Sequence, residues 1–291
     1  MLQKGQKTVL ITGCSAGGCG SSLALEFARR GLHVFATARD ITKIAHLKEN
    51  PNITLLPLDI TSSSSIAKAV KSVTSITQAA IDDKTPTLNH LINNAAISFT
   101  MPVLDTNIPA ARQMFDTNVW GFLAVTQAFA PLLIASRGSI ANICSVAGYC
   151  NSPWMGSYGA SKAAMLVLSE TLRLELEPFG VGVNNVVTGA IDTKIMIKGA
   201  GSDWKLPEGS LYKGIEEIIR DRATGVGVPS AMDPDEFARK VVGDVLGGVK
   251  GMTWRGAMAT MLRVFTHLPV VVLVRYIIPS YQMPGRLLMI L

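Results

Sequence analysis

TVLITGCSAGGCGSSLALEFARRG, residues Thr8 to Gly31, is the stretch on which the fold turns. Thr8 to Thr12 are apolar or β-branched and read as a buried strand. A turn follows in which Gly13, Gly17, Gly18 and Gly20 alternate with Cys14, Ser15, Ala16 and Cys19, and a helix runs from about Ser21 to Gly31. Strand, glycine turn and helix together form a phosphate cradle. Glycine lets the backbone approach a pyrophosphate, and the unpaired amides at the helix start supply donors at the positive end of a dipole. The spacing departs from GxGxxG, and either Gly17 or Gly18 can take the middle place in the turn.

The alternation continues beyond Gly31. HVFATARD gives a strand over His33 to Ala38, ITLLPLDIT a third ending at Asp59, and LNHLINNAAI a fourth. The Ser62 to Ser65 cluster caps a helix, Thr74 to Leu88 reads as its end followed by a surface loop, and a long helix follows Pro109. RGSIANICSVAG is the fifth strand. SYGASKAAMLVLSETLRLELE repeats its apolar positions at helical spacing, and GVGVNNVV is the sixth strand. From Lys194 to Ser230 the chain is glycine-rich and irregular around a helix over Tyr212 to Arg222. A capped amphipathic helix over Asp233 to Leu246 and a short edge strand, MTWRG, follow. Strands alternating with helices predict an α/β fold, one doubly wound parallel sheet of order 3-2-1-4-5-6 with a short seventh strand and helices on both faces. We read residues 1–291 as one domain: core 8–193, substrate lid 194–230, apolar basic tail 245–291.

Composition narrows the classes. Hydrophobic residues make up 48% and charged residues 16% of the 291, which excludes wholesale disorder and favours an apolar surface or ligand site. The 27 basic against 21 acidic residues form no dense run or basic stripe, so no nucleic-acid partner is expected. Cys14, Cys19, Cys144 and Cys150 make no CxxC pair and the histidines are scattered, so neither a disulfide scaffold nor a metal site is indicated. The start, MLQKGQK, passes into the first strand without a cleavable signal pattern, and a reducing, cytoplasmic setting is expected.

The chemistry concentrates between Ser145 and Lys162, SVAGYCNSPWMGSYGASK. Tyr158 and Lys162 are four residues apart on one helix and share a face. YxxxK alone also fits an ordinary surface helix; its weight comes from the rest of the chain. A free tyrosine loses its proton near pH ~10, so phenolate at neutral pH requires roughly 4 kcal/mol. An ammonium about 4 Å away at an effective dielectric near 20 is worth about that much. Ser145, at the end of the fifth strand, can hold a carbonyl or alcohol oxygen beside the phenol. The second strand ends in Thr37, Ala38 and Arg39 where an NAD site would place an Asp, which favours NADP(H). Arg39, with Lys43 behind it, then meets a 2′-phosphate.

Over roughly Thr8 to Thr193 the chain resembles the short-chain dehydrogenase/reductase family, whose glycine motif is TGxxxGxG and whose active site is Ser, Tyr and Lys with this YxxxK spacing. The loop here is one residue longer than the commonest version. The resemblance implies cofactor contacts from Gly13, Ser15, Gly17, Gly18, Cys19 and Gly20, from Asp59 to adenine, and from Tyr158 and Lys162. Asn94, in NNAA where the family has NNAG, is implied to support the central strands and the ribose. Thr193, in TGAIDT with Thr188 replacing the family's Pro, is implied to meet the nicotinamide carboxamide. Asn118, in TNVWG, is implied to be a fourth catalytic residue holding a water that links Lys162 to solvent.

TGCSxGG, VFATAR and WRG (Trp254 to Gly256) are most similar to a fungal branch that includes acyl-dihydroxyacetone-phosphate reductases and secondary-metabolite ketoreductases. An apolar carbonyl or alcohol substrate is expected, and the sequence leaves the choice between a lipid phosphate ester and a polyketide or terpenoid ketone open. A dinucleotide-binding regulator without turnover, or a lipid-surface structural protein, is the alternative from another class. From Val245 to Leu291 five basic residues, Lys250, Arg255, Arg263, Arg275 and Arg286, stand among apolar ones with no Asp or Glu. Prolines 269, 279 and 284 interrupt that stretch, so it reads as peripheral contact with an intracellular membrane or lipid droplet rather than a span. Packing on its own domain or a second subunit, as a homo-oligomer, is the competing expectation.

Overall fold

A computed structural model describes residues 2–80, 85–226 and 231–266. Seven strands, β1 (Thr8–Ile11), β2 (His33–Ala38), β3 (Ile53–Pro57), β4 (His90–Asn93), β5 (Ser139–Ile143), β6 (Gly182–Thr188) and β7 (Gly251–Arg255), form one sheet of order β3-β2-β1-β4-β5-β6-β7. All pairings are parallel, with Ile11 opposite Ala36 and Ile92 and Thr188 opposite Arg255. The expected order holds, and β7 extends it at the edge.

The helices are α1 (Cys19–Arg29), α2 (Ser63–Ala80), α3 (Ile108–Phe115), α4 (Phe122–Ser136), α5 (Gly156–Leu176), α6 (Ile195–Ala200), α7 (Glu216–Thr224), α8 (Pro234–Leu246) and α9 (Ala259–Phe265). Alternate strand residues feed opposite cores. Val9, Ile11, Val34 and Ala36 pack under Leu23 and Phe27 of α1 and Phe237 and Val241 of α8. Leu10, Phe35 and Leu91 meet Ile66 and Val73 of α2 and Val125 and Phe129 of α4. Local signals set the ends. Asp233 accepts from the amides of Asp235 and Glu236 ahead of Pro234, and the Ser62 hydroxyl accepts from the amide of Ser65. α1 starts at Cys19, two residues before the expected Ser21, because glycine in its first turn does not stop helical bonding.

A π-turn over Asp116–Gly121 joins α3 to α4, so Ile108–Ser136 is one continuous helix. It is the described helix long and apolar enough to span a membrane, yet Val125, Phe129, Leu132 and Leu133 bury it on the sheet. The extra residue of the π-turn brings Asn118 to a fully buried position, and such turns recur at functional sites.

At the opposite, amino-terminal edge of the sheet, His33 and His90 are buried, bonded to Thr54 Oγ1 at 2.9 Å and Ser139 Oγ at 2.8 Å. Burial pushes both imidazoles down from 6.5 to about 4. As pH falls the unfolded chain therefore takes up protons first, so their stabilisation is whole above the unfolded pKa and is lost as pH falls toward 4. Two such groups give a slope of up to about 2.7 kcal/mol per pH unit. Denaturation midpoints should drop between pH 6.5 and 4.5; level midpoints across that window exclude this account.

Candidate active site

The loops that leave the carboxyl ends of β1 to β6 surround one cleft of about 540 Å³, centred where β1 and β4 diverge in chain order. The glycine turn forms its floor. Gly13 has φ +75°, and a Cβ there would lie 2.8 Å from Ala95 Cα. Gly17 has φ +71°, whereas Gly18 is extended at φ −125° as the N-cap of α1. Gly17 therefore takes the turn that only glycine makes freely, which resolves the choice between them. Gly13, Ser15, Gly17, Gly18 and Cys19 line the cleft; Gly20 does not line it. Gly20 instead allows α1 to press on Gly13 O and Asn94 Nδ2. No side chain caps α1 and no acid stands in its first turn, so its amides are left for an anion. A dinucleotide diphosphate fits this cradle.

At the end near β2 and β3, Arg39, Lys43 and Asp59 line the cleft. Burial works to raise the Asp59 carboxyl, but hydrogen bonds from Thr61 and the Arg39 charge outweigh it and hold the group below its ordinary value. Asn94 ties β4 to β1: its Nδ2 donates to Thr12 O at 2.8 Å and to Gly13 O at 3.0 Å. Thr193 lines the cleft beyond β6, and Thr188 closes that strand in place of a proline.

At the other end stand Ser145, Tyr158 and Lys162, all lining the cleft. Ser145 follows β5 in extended conformation, and its Oγ accepts from Ala147 N at 3.1 Å. Lys162 lies one turn after Tyr158 on α5; it is 3% exposed, and its Nζ donates to Ile143 O at 2.9 Å. That Nζ sits 6.0 Å from the centre of the Tyr158 ring. Burial pushes the Tyr158 phenol up to about 12, with a hydrogen bond from Ser145 pulling the other way. Burial also brings Lys162 down to about 8. The sequence expectation of a phenol depressed by its lysine is corrected here for the protein alone. Desolvation acts on both groups, the ammonium is turned to the Ile143 carbonyl, and each group is shifted toward its neutral form, although Lys162 at about 8 stays mostly charged at neutral pH.

Asn118 is held by protein partners. Its Nδ2 donates to Ile97 O at 2.8 Å and Ser161 Oγ at 3.1 Å, and its Oδ1 accepts from Ile97 N at 2.9 Å. Both amide hydrogens are committed, and Asn118 is not among the lining residues. The side chain ties the Asn94–Ser98 segment to α5.

A family model for short chain dehydrogenases matches residues 7–201. The chain belongs to the short-chain dehydrogenase family. The relatives include Short-chain dehydrogenase PC-15 of Penicillium crustosum, 47% identical over 88% of this chain and 90% of its own length. The NADPH-dependent 1-acyldihydroxyacetone phosphate reductase of Schizosaccharomyces pombe is 34% identical over 91% of this chain and 90% of its own. A crystal structure of a short chain dehydrogenase from Burkholderia cenocepacia J2315 in complex with NADP superposes with TM-score 0.73 at 25% identity, covering 95% of this chain and 99% of that one.

In this short-chain dehydrogenase the segment after Thr193 is more ordered than its glycines suggest. The Lys194 amide donates to Gly17 O at 3.3 Å, α6 follows, and a Cβ on Gly199 would fall on the Ser98 carbonyl. Trp204 Nε1 donates to Thr100 O at 2.9 Å, and Ser210 Oγ to Asp105 Oδ2 at 2.6 Å. Leu206, Ile215 and Ile219 bury against Trp154, which is held at φ +64°, an outlier for a bulky residue. Ser98, Thr117, Ile195 and Lys198 line the cleft and carry no motif. α6 is six residues with a glycine inside and no side-chain cap, which is why periodicity missed it. Arg255 of β7 is paired with Asp244 at 2.6 Å. Of the tail, residues 267–291 lie outside the described residues, so Arg275, Arg286 and the run from Leu268 do too.

Proposed function

We propose that this protein is an NADP(H)-dependent oxidoreductase that interconverts a ketone and a secondary alcohol on a largely apolar substrate. The observation that carries this reading is the trio at the end of the cleft: Ser145, Tyr158 and Lys162 line it together, with Ser145 and Lys162 buried and Tyr158 half-buried. When bound, the nicotinamide cofactor supplies or accepts the hydride. The chain does the rest. Ser145 donates to the substrate oxygen, and Tyr158, held in its protonated form, gives that oxygen a proton in reduction. Lys162 holds the ribose and, as a cation, eases the phenol's loss of its proton. Asn118 acts by fixing Ile97 and Ser161 around them. The fungal relatives support a ketoreductase of secondary metabolism or of lipid precursors such as acyl-dihydroxyacetone phosphate, with residues 194–230 as the lid. The test is NADPH oxidation against a panel of ketones. Cofactor binding without turnover on any of them favours a regulator instead.

Arg39 is the proposed partner of the 2′-phosphate. Arg39→Ala should weaken NADPH binding by roughly tenfold or more, the value of a lost charge-assisted bond, and leave NADH nearly unchanged. Equal losses for both cofactors remove Arg39 from this role.

The tail is proposed to rest on an anionic lipid surface of an intracellular membrane, with the protein otherwise cytoplasmic. Exposed Met258, Met261 and Val264 beside Arg263 on α9 support it. Deleting Leu268 to Leu291 should release the protein from anionic liposomes and spare NADPH binding. A full-length chain that fails to co-sediment at low salt, or a deletion that unfolds, assigns the tail to packing on its own domain or a second subunit.

A further inference from the structure

Within the cleft, the charged groups divide by end. Asp40 and Asp59, the carboxylates among the described lining residues, stand with Arg39 and Lys43, and Asp40 is engaged by Thr42. Beyond Thr193 the wall is Ile195, Lys198 and Gly199. Lys198 has no ion pair among the described residues, and none of the lining residues near it is acidic. On the opposite wall Ser98 is 5% exposed and its hydroxyl has no hydrogen-bond partner. The two walls touch beside them, since a Cβ on Gly199 would fall on the Ser98 carbonyl. The backbones that carry Lys198 and Ser98 are thereby neighbours, and both residues line the cleft there. α6 is held at its other end by the Lys194 amide on Gly17 O and by the Lys198 amide on Lys194 O at 2.9 Å.

The Ser98 hydroxyl is already shut off from water without an acceptor, which is costly, and the exposed Lys198 on the adjoining wall has no counter-ion among the described residues, so a wholly neutral ketone would leave both unanswered. An anionic oxygen on the substrate answers both. We infer that Lys198 and Ser98 form a subsite for an acidic group, a carboxylate or a phosphate, carried by the ketone that Tyr158 reduces. This rests on the reductase reading and narrows its substrate class to ketones with an anionic arm.

The test compares matched pairs in NADPH oxidation, 4-oxodecanoate against its methyl ester and dihydroxyacetone phosphate against dihydroxyacetone, with wild type, Lys198→Met and Lys198→Arg. The wild type should favour the acid of one pair at least tenfold in kcat/KM, and which pair shows it separates carboxylate from phosphate. Lys198→Met should bring that ratio near one through the KM of the acid, Lys198→Arg should retain most of it, and Ser98→Ala should lower it a few-fold. NADPH Kd, read by fluorescence, should not move in Lys198→Met. A wild type without preference in either pair overturns the subsite, as does a raised NADPH Kd, which assigns the ammonium to the cofactor. If none of the four is reduced, the reductase reading fails for these compounds and the subsite is read by itself. Decanoate and phenyl phosphate are titrated into the enzyme–NADPH mixture. Binding of either that is lost in Lys198→Met upholds the subsite, and no binding of both overturns it.

Discussion

Tyr158→Phe is expected to lower kcat by roughly 10³-fold or more, the scale of a lost general acid, while NADPH binds within a few-fold of wild type. The phenol carries a transferable proton at neutral pH, and burial, which pushes it up to about 12, holds that proton more firmly still. Phenylalanine keeps the ring and the first turn of α5, so the cleft keeps its shape and the loss is confined to the proton. Ser145→Ala removes a donor that orients the oxygen and should cost less, though still orders of magnitude. Single-turnover reduction with NADPH measures the chemical step, and cofactor fluorescence measures binding. A Tyr158→Phe variant with wild-type kcat on any good substrate ends the proposed mechanism.

Gly13→Ala should weaken NADPH by about a hundredfold and lower the melting temperature. Two costs combine. At φ +75° an alanine pays about 1–2 kcal/mol for the left-handed backbone. Its Cβ would also lie 2.8 Å from Ala95 Cα, and main chain cannot swing aside as a long side chain can. Either the glycine turn or the loop after β4 must move, and the cofactor is proposed to lie against both. Gly18→Ala is the matched control: φ is −125° and the nearest atom to its Cβ is Ser15 O at 3.3 Å. That variant should bind NADPH within a few-fold of wild type. Wild-type affinity in Gly13→Ala instead means that the turn does not seat the cofactor.

Much of this architecture is legible in the sequence because its signals are local and repeat. Alternating apolar runs, the cap at Asp233 and the glycines before α1 each announce an element on their own. YxxxK marks one face of one helix, and its partner Ser145 follows from being at a strand end. What escapes is whatever depends on depth. Burial decides that Tyr158 and Lys162 are both shifted toward their neutral forms, and nothing in a four-residue spacing reports how much water is excluded. The choice of Gly17 over Gly18 rests on a backbone angle, which two adjacent glycines leave equally open. Asn118 was legible as a polar residue with a reason to be buried. Its partners, the Ile97 backbone and Ser161, are distant in sequence and are brought near by the π-turn, which has no sequence signature. Lys198 and Ser98 belong to no motif, and the fold alone makes them neighbours.

The cluster of Trp154, Leu206, Ile215 and Ile219 stands apart from the two cores that hold the sheet. Its apolar residues bury against one another and against the turn before Tyr158, so the segment proposed as the lid is a small cohesive body with its own hydrophobic centre. Such a body can be rewritten without disturbing the strands that seat the cofactor. Divergence among relatives can thus retune which molecules are admitted while the chemistry beneath remains a fixed engine, and exchanging residues 194–226 between relatives becomes a rational way to transplant substrate choice.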